Sequence, residues 1–104
     1  YDYAYNNRGL AYMDGLHQYE RAIADFKTAI KLDPNIHYAY ANLGRMYTIQ
    51  KNYKQALQNF DAAIRLMPNY GYAYWHRGKC HEAKDDRSKA QADLDKAREL
   101  GYSE

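Results

Sequence analysis

Residues 40–47 read Tyr-Ala-Asn-Leu-Gly-Arg-Met-Tyr, and Ala56, Phe60 and Pro68 lie beyond them. Moving 34 residues away returns the same types: Gly44 leads to Gly78, Phe60 to Phe26, Pro68 to Pro34, and Ala63 to both Ala29 and Ala97. A fixed period of this length marks an array of supersecondary units, each burying its apolar face only against its neighbours. Such an array works by holding a partner along its surface, and its period leaves little place for a reactive centre.

Outward from that stretch, apolar and small residues recur at helical spacing. The first unit carries Tyr5, Gly9 and Tyr12, a turn at Asp14-Gly15-Leu16-His17, then Ala22, Ile23, Phe26, Ala29 and Ile30. It closes at Asp33-Pro34-Asn35, where the residue before proline is driven out of helical geometry and Asn35 can cap the next helix. The second unit runs Tyr38–Ile49, turns at Gln50-Lys51-Asn52, and continues Tyr53–Leu66. The third runs Tyr70–Ala83, turns at Lys84-Asp85-Asp86, and continues Ser88–Leu100 to Gly101. Gly9 and Gly44 are 35 residues apart, so the first unit carries one extra residue, placed in its internal turn. The predicted units are 1–34, 35–68 and 69–104, forming one all-α domain of three antiparallel helix pairs. Alternating tyrosines, as in Tyr70-Gly71-Tyr72-Ala73-Tyr74, would suggest strand in isolation, but the repeat overrides that reading.

These residues resemble the tetratricopeptide repeat. Its pattern of a bulky aromatic, Leu-Gly, Tyr, Ala, Phe and Pro is carried by Tyr40, Leu43-Gly44, Tyr47, Ala56, Phe60 and Pro68. Unit one matches at Tyr5, Gly9, Tyr12, Ala22, Phe26 and Pro34, with Arg8 for leucine. Unit three matches at Tyr74, Gly78, Ala90 and Ala97, with Arg77, His81, Leu94 and Tyr102 as departures. The resemblance covers essentially the whole chain and implies a right-handed α-solenoid. It further implies a concave groove, lined by the first helix of each pair, that grips an extended peptide or a partner's helix.

Three glycines in helix interiors need a packing reason, since each weakens its helix by ~1 kcal/mol against alanine. The expected reason is close approach, with Gly9, Gly44 and Gly78 facing Ala22, Ala56 and Ala90. A second pattern is co-variation. Where the leucine position is Arg8 or Arg77, the second helix carries Asp25 or Asp93; where it is Leu43, the matching residue is Asn59. Two ion pairs within units, Arg8–Asp25 and Arg77–Asp93, are therefore predicted. In the last unit Ile23 and Leu57 give way to Gln91, and Ile30 and Ile64 to Arg98. That polar helix, 88–100, reads as a terminal cap closing the array. The chain opens on Tyr1 rather than Met and reads as a piece of a longer protein, whose bare N-terminal tyrosines could stack on another copy or on further repeats.

The candidate groove residues are those the resemblance implies. They are Tyr3 and Asn7 in unit one; Tyr38, Asn42 and Arg45 in unit two; and Tyr72, Trp75, His76 and Lys79 in unit three. Trp75 replaces Asn6 and Ala41 of the other units, so it reads as an exposed interface anchor. Asn42 matches an asparagine that in the family hydrogen-bonds a ligand, and Arg45 and Lys79 would set two cations side by side. A peptide with an acid or C-terminal carboxylate beside an aromatic or aliphatic group is the expected partner. The family's carboxylate clamp for chaperone tails is not reproduced: Asn6, Leu10, Tyr72 and His76 stand where its cations and asparagine would be.

Composition excludes other classes. The net charge of +2 is too small to favour nucleic acid or an acidic membrane surface. No apolar run approaches the ~20 residues that span a bilayer. Cys80 is the only cysteine, so no intrachain disulfide forms and a reducing, cytoplasmic setting is mildly preferred. His76 and Cys80 share a helix face without a third metal ligand. There is no phosphate loop or serine triad, and neither enzymatic activity nor a cofactor is expected. A structural assembly module, or the interaction domain of a larger protein, is the alternative to a peptide-binding scaffold.

Overall fold

A side chain laid against a helix glycine marks the close approach within each helix pair: a phenylalanine ring in the first two and Leu94 in the third. The computed structural model describes residues 2–15 and 18–103, with side chains from 4–12 and 18–103. Six helices are arranged in the order α1 (Asp2–Gly15), α2 (Tyr19–Leu32), α3 (His37–Ile49), α4 (Tyr53–Leu66), α5 (Gly71–Ala83) and α6 (Arg87–Glu99). No strand occurs among the described residues. Each odd helix packs on the even helix that comes after it, and the pairs stack through α2 on α3 and α4 on α5. The first helices also touch one another, α1 on α3 and α3 on α5, whereas among the described residues the second helices do not. The first helices thus form the inner layer of a short solenoid measuring 36 × 24 × 23 Å.

Burial follows position in this stack. Helix α4 buries one stripe, Ala56, Phe60 and Ala63, at the spacing of a single helix face. Helix α3 is wrapped by α1, α2, α4 and α5, so Ala39, Ala41, Asn42, Leu43, Gly44, Met46 and Tyr47 are all buried. On α1, Ala4 and Ala11 are exposed, although the equivalent Ala39, Ala73, Met46 and Cys80 are fully buried by a preceding pair.

The turns repeat as faithfully as the helices. Helices α2 and α4 end at Asp33 and Met67 in extended conformation before Pro34 and Pro68. Inside units two and three, Lys51 and Asp85 both take a left-handed φ of 64°. The amides of Asn52 and Asp86 then donate back to the carbonyls of Tyr47 and His81, at 2.8 and 2.9 Å, satisfying orphan helix-end acceptors.

The atoms nearest to where a Cβ would stand on Gly9 and Gly44 belong to rings rather than to the alanines expected there. A Cβ on Gly44 would lie 2.8–2.9 Å from three carbons of Phe60, and one on Gly9 would lie 2.7–3.0 Å from Phe26. At Gly78, where Leu94 replaces the ring, a Cβ would also lie 3.2 Å from the Ala90 carbonyl. Alanine at position 44 gains about 1 kcal/mol of helix propensity but overpacks a fully buried ring, which costs about 1–3 kcal/mol. Gly44→Ala is therefore expected to lower stability by about 1–2 kcal/mol in urea unfolding; a stabilised variant would show that the ring can move aside.

Candidate functional site

The inner layer encloses a cleft of about 510 Å³ where α1, α3 and the start of α5 converge. Asn7 and Leu10 come from α1, Tyr38, Asn42 and Arg45 from α3, and Tyr70 and Tyr72 from the third unit, with Asn6 behind them. A directional line of hydrogen bonds crosses all three first helices. Arg45 Nη1 donates to the Tyr72 hydroxyl at 2.9 Å, which donates to Asn42 Oδ1 at 2.7 Å. Asn42 Nδ2 in turn donates to Asn6 Oδ1 at 3.2 Å. The direction is fixed because a guanidinium can only donate, which leaves the phenol proton for the amide oxygen. Asn6 and Asn42 are 2% and 4% exposed, and these bonds offset the removal of their amides from water.

Aromatic groups build the wall above this line. The rings of Tyr70 and Tyr72 stack at 5.6 Å between centroids, and His37 meets Tyr38 and Tyr70 edge-on at 5.2 and 4.8 Å. Burial pushes the Tyr70 phenol up and His37 down from their ordinary ranges, so both are neutral at pH 7. Arg45 also separates the cleft from a smaller pocket of about 140 Å³, lined by Thr48, Ile49, His76 and Lys79 over Phe60. The structure thus brings Asn7, Tyr38, Asn42, Arg45 and Tyr72 into one cleft, and His76 and Lys79 into its neighbour. The side chain of Tyr3 lies outside the described residues.

Trp75 differs from expectation. It is only 8% exposed and packs with Leu94, Ala97, Tyr74 and Tyr102, so it is a packing residue and not an exposed anchor. The equivalent positions face the next unit: Asn6 meets Asn42, and Ala41 lies fully buried in the main core. In the last unit the indole fills that space itself. Gly101, with φ of 87°, turns the chain so that the Tyr102 ring lies 6.0 Å from the indole. Gly71 admits it, since a Cβ there would fall 2.7 Å from Tyr102 Cβ. One cleft residue, Tyr70, escaped the sequence reading; it was legible only as the counterpart of buried Ile36.

On the outer side, Arg8 Nε and Nη2 grip both oxygens of Asp25 at 2.8 Å. Arg77 grips Asp93 by the same edge at 2.7 and 2.8 Å, and its Nη1 reaches Asp61 on α4 at 2.9 Å. The side chain of Arg77 is accordingly less exposed than that of Arg8, 23% against 59%. Nε2 of His81 lies 3.7 Å from the same Asp93 carboxylate, and its Nδ1 is buried without a hydrogen-bond partner among the described residues.

A tetratricopeptide repeat family model matches residues 6–71. The chain belongs to the tetratricopeptide repeat family. The first such domain of Spaghetti (RPAP3), bound to the HSP90 peptide SRMEEVD, superposes with a TM-score of 0.89 at 23% identity, covering 95% of this chain and 78% of that one. The Arabidopsis OM64 domain gives 0.88 at 25% identity over 95% and 81% of the two chains. MamA gives 0.85 at 27% identity over 96% of this chain and 58% of its own length. No curated protein sequence matches the chain. The tetratricopeptide repeat is generally a non-catalytic protein-interaction fold.

Within this tetratricopeptide repeat, Cys80 is a buried thiol whose pKa is pushed up by burial, the environment of a core residue. No cluster of potential metal ligands occurs among the described residues.

Removing Arg77 strands the carboxylate of Asp93, which is 6% exposed. Arg77→Met should therefore destabilise the fold by about 3 kcal/mol, and adding Asp93→Leu should restore much of it. Additive losses in thermal or urea unfolding would mean the two side chains act independently.

Burial lowers the pKa of His81 below the ordinary 6.5, although Asp93 opposes the shift. The unfolded chain then takes up the proton first, so this residue's effect is a stability lost as pH falls below about 6.5. His81→Tyr, matching Tyr47 at the equivalent position, should flatten part of that dependence; unchanged pH profiles would remove His81 as its source.

Proposed function

We propose that this repeat domain is a non-catalytic scaffold that holds a peptide or partner segment in the concave cleft. An acidic group of the segment pairs with Arg45, assisted by Lys79, and an aromatic or aliphatic side chain lies against Leu10, Tyr38 and Tyr70. The observation that carries this reading is the state of Arg45. It lines both concave pockets, and its guanidinium meets the hydroxyl and ring of Tyr72, with no carboxylate partner among the described residues. Arg8 and Arg77, by contrast, are each neutralised by an aspartate. A partly buried cation supplied only with a phenol favours an incoming anion, and a charge-assisted hydrogen bond contributes about 1.5–3 kcal/mol.

Related folds support a peptide partner, since the Spaghetti domain is bound to an HSP90 peptide and a domain of yeast Sti1 forms a complex with pHsp70. That particular chaperone segment is not the one favoured here. Asn42 is engaged by Asn6 and Tyr72, and Asn6, Leu10, Tyr72 and His76 replace the clamp residues that the family resemblance would require.

Labelled acidic peptides selected from a random library should bind in anisotropy titrations. Arg45→Ala should weaken them roughly 10- to 100-fold while leaving the helical circular dichroism intact, as ~1.4 kcal/mol per tenfold implies. Undiminished binding to the variant would defeat the assignment.

A further inference from the structure

We propose that the outer edge of α1 is a second interaction surface, which takes an amphipathic helix of a partner protein carrying an acidic residue between two aliphatic ones. This face lies apart from the concave cleft and does not depend on that reading.

Ala4, Arg8 and Ala11 stand at i, i+4 and i+7, on one face of α1, and all three are exposed. The same face of α3 holds Ala39, Leu43 and Met46, and that of α5 holds Ala73, Arg77 and Cys80. There the apolar members are at most 4% exposed, because a preceding second helix lies over them. On α5 the cover is α4. Its Leu57 and Ile64 pack into the core that contains Ala73 and Cys80, and Asp61 between them accepts from Arg77 Nη1 at 2.9 Å.

Arg8 is held in the same stance as Arg77. Each grips the aspartate of its own pair through Nε and Nη2. Each lies over the tyrosine one turn earlier, 5.4 Å from the Tyr5 ring and 5.3 Å from that of Tyr74. The difference is Nη1, which on Arg8 has no partner among the described residues. Arg77 holds two carboxylates at once, so Asp25 does not exhaust Arg8. The covering helix also changes with what it covers. At the position of Asp61, α2 carries Lys27, and there the first helix beneath has Leu43 in place of arginine. The Lys27 ammonium turns instead toward the Tyr47 ring, 5.9 Å away.

An arginine on this face therefore goes with an acid on the helix that covers it. A carboxylate seated among Ala4, Ala11 and the half-buried rings of Tyr5 and Tyr12 leaves part of its water, which strengthens a charge-assisted bond to Nη1. The aliphatic neighbours follow from Leu57 and Ile64, four residues before and three after Asp61 on one helix face. A second copy of this chain fits less well. Its last helix, α6, presents Gln91 and Arg98 in place of the aliphatic pair, and Asp95 already accepts from both.

The test uses a stapled, labelled helix of 14 residues, the length of α4, polar except for Leu and Ile placed around Asp at the spacing of Leu57, Asp61 and Ile64. Versions with Asn or Lys in place of that Asp are the comparisons, and circular dichroism checks peptides and chain variants for folding. Titrated into the isotope-labelled full chain, the acidic helix should shift the amide signals of Ala4, Arg8 and Ala11. It should bind about tenfold more tightly than the Asn version, with the Lys version weaker still. Ala11→Arg, at an exposed position, should abolish binding. Arg8→Leu with Asp25→Asn, which copies Leu43 and Asn59 of the second unit, should fold and lose the preference for Asp over Asn. No binding, equal affinity for the Asp and Lys helices, or binding untouched by Ala11→Arg would overturn the assignment. Sedimentation in which the chain associates with itself, and Ala11→Arg prevents it, would give the face to a second copy and overturn the partner assignment.

Discussion

The ring-on-glycine contact is the constraint on which the other distances depend. At Gly9 and Gly44 the first helix has no side chain, and Phe26 or Phe60 lies in the gap, its nearest carbon 2.7 or 2.8 Å from where a Cβ would be. That contact draws the two helices of a pair together and leaves the opposite face of the first helix free of its own partner. The inner faces of α1, α3 and α5 can then approach each other, and a polar line can run between them. There Arg45, Tyr72, Asn42 and Asn6 bridge three helices with bonds of 2.7–3.2 Å.

Equivalent positions do different work because their neighbours differ. Asn6, Ala41 and Trp75 share one place in the repeat, yet one is a hydrogen-bonding link, one a core methyl and one a broad indole under Tyr102. Arg8, Leu43 and Arg77 share another. Arg77 bridges two second helices through Asp93 and Asp61, whereas Asp25 is the one carboxylate that Arg8 holds among the described residues. Repetition sets where a side chain stands, and stacking decides what it meets.

The concave and convex sides of the molecule also treat charge differently. Outside, Arg8 and Arg77 are matched by aspartates within the fold and serve stability. Inside, the Arg45 guanidinium is hydrogen-bonded to a phenol alone among the described residues, so its charge remains available. The aromatic wall of Tyr38, Tyr70 and Tyr72 lowers the local exposure to water, which strengthens any ion pair formed there. The concave cation is thus separated from the ion pairs that join the helices of a pair.

The fold was legible from residues alone. A 34-residue period, glycines and phenylalanines in register, and prolines at the same interval specify helix pairs because each unit repeats the same local and neighbour contacts. The pairing of arginine with aspartate was also visible, as co-variation between units inside one chain. Trp75 was not: an aromatic that departs from its counterparts looks like a binding residue until the chain end is seen to fold over it. Nor was the Arg45–Tyr72–Asn42–Asn6 line, whose members come from three units and whose direction depends on side-chain geometry across helices. The linear chain carries information about which positions are equivalent. Only three-dimensional packing decides which of them still have a donor, a cation or an apolar wall to offer, because that depends on neighbours 30 or more residues away.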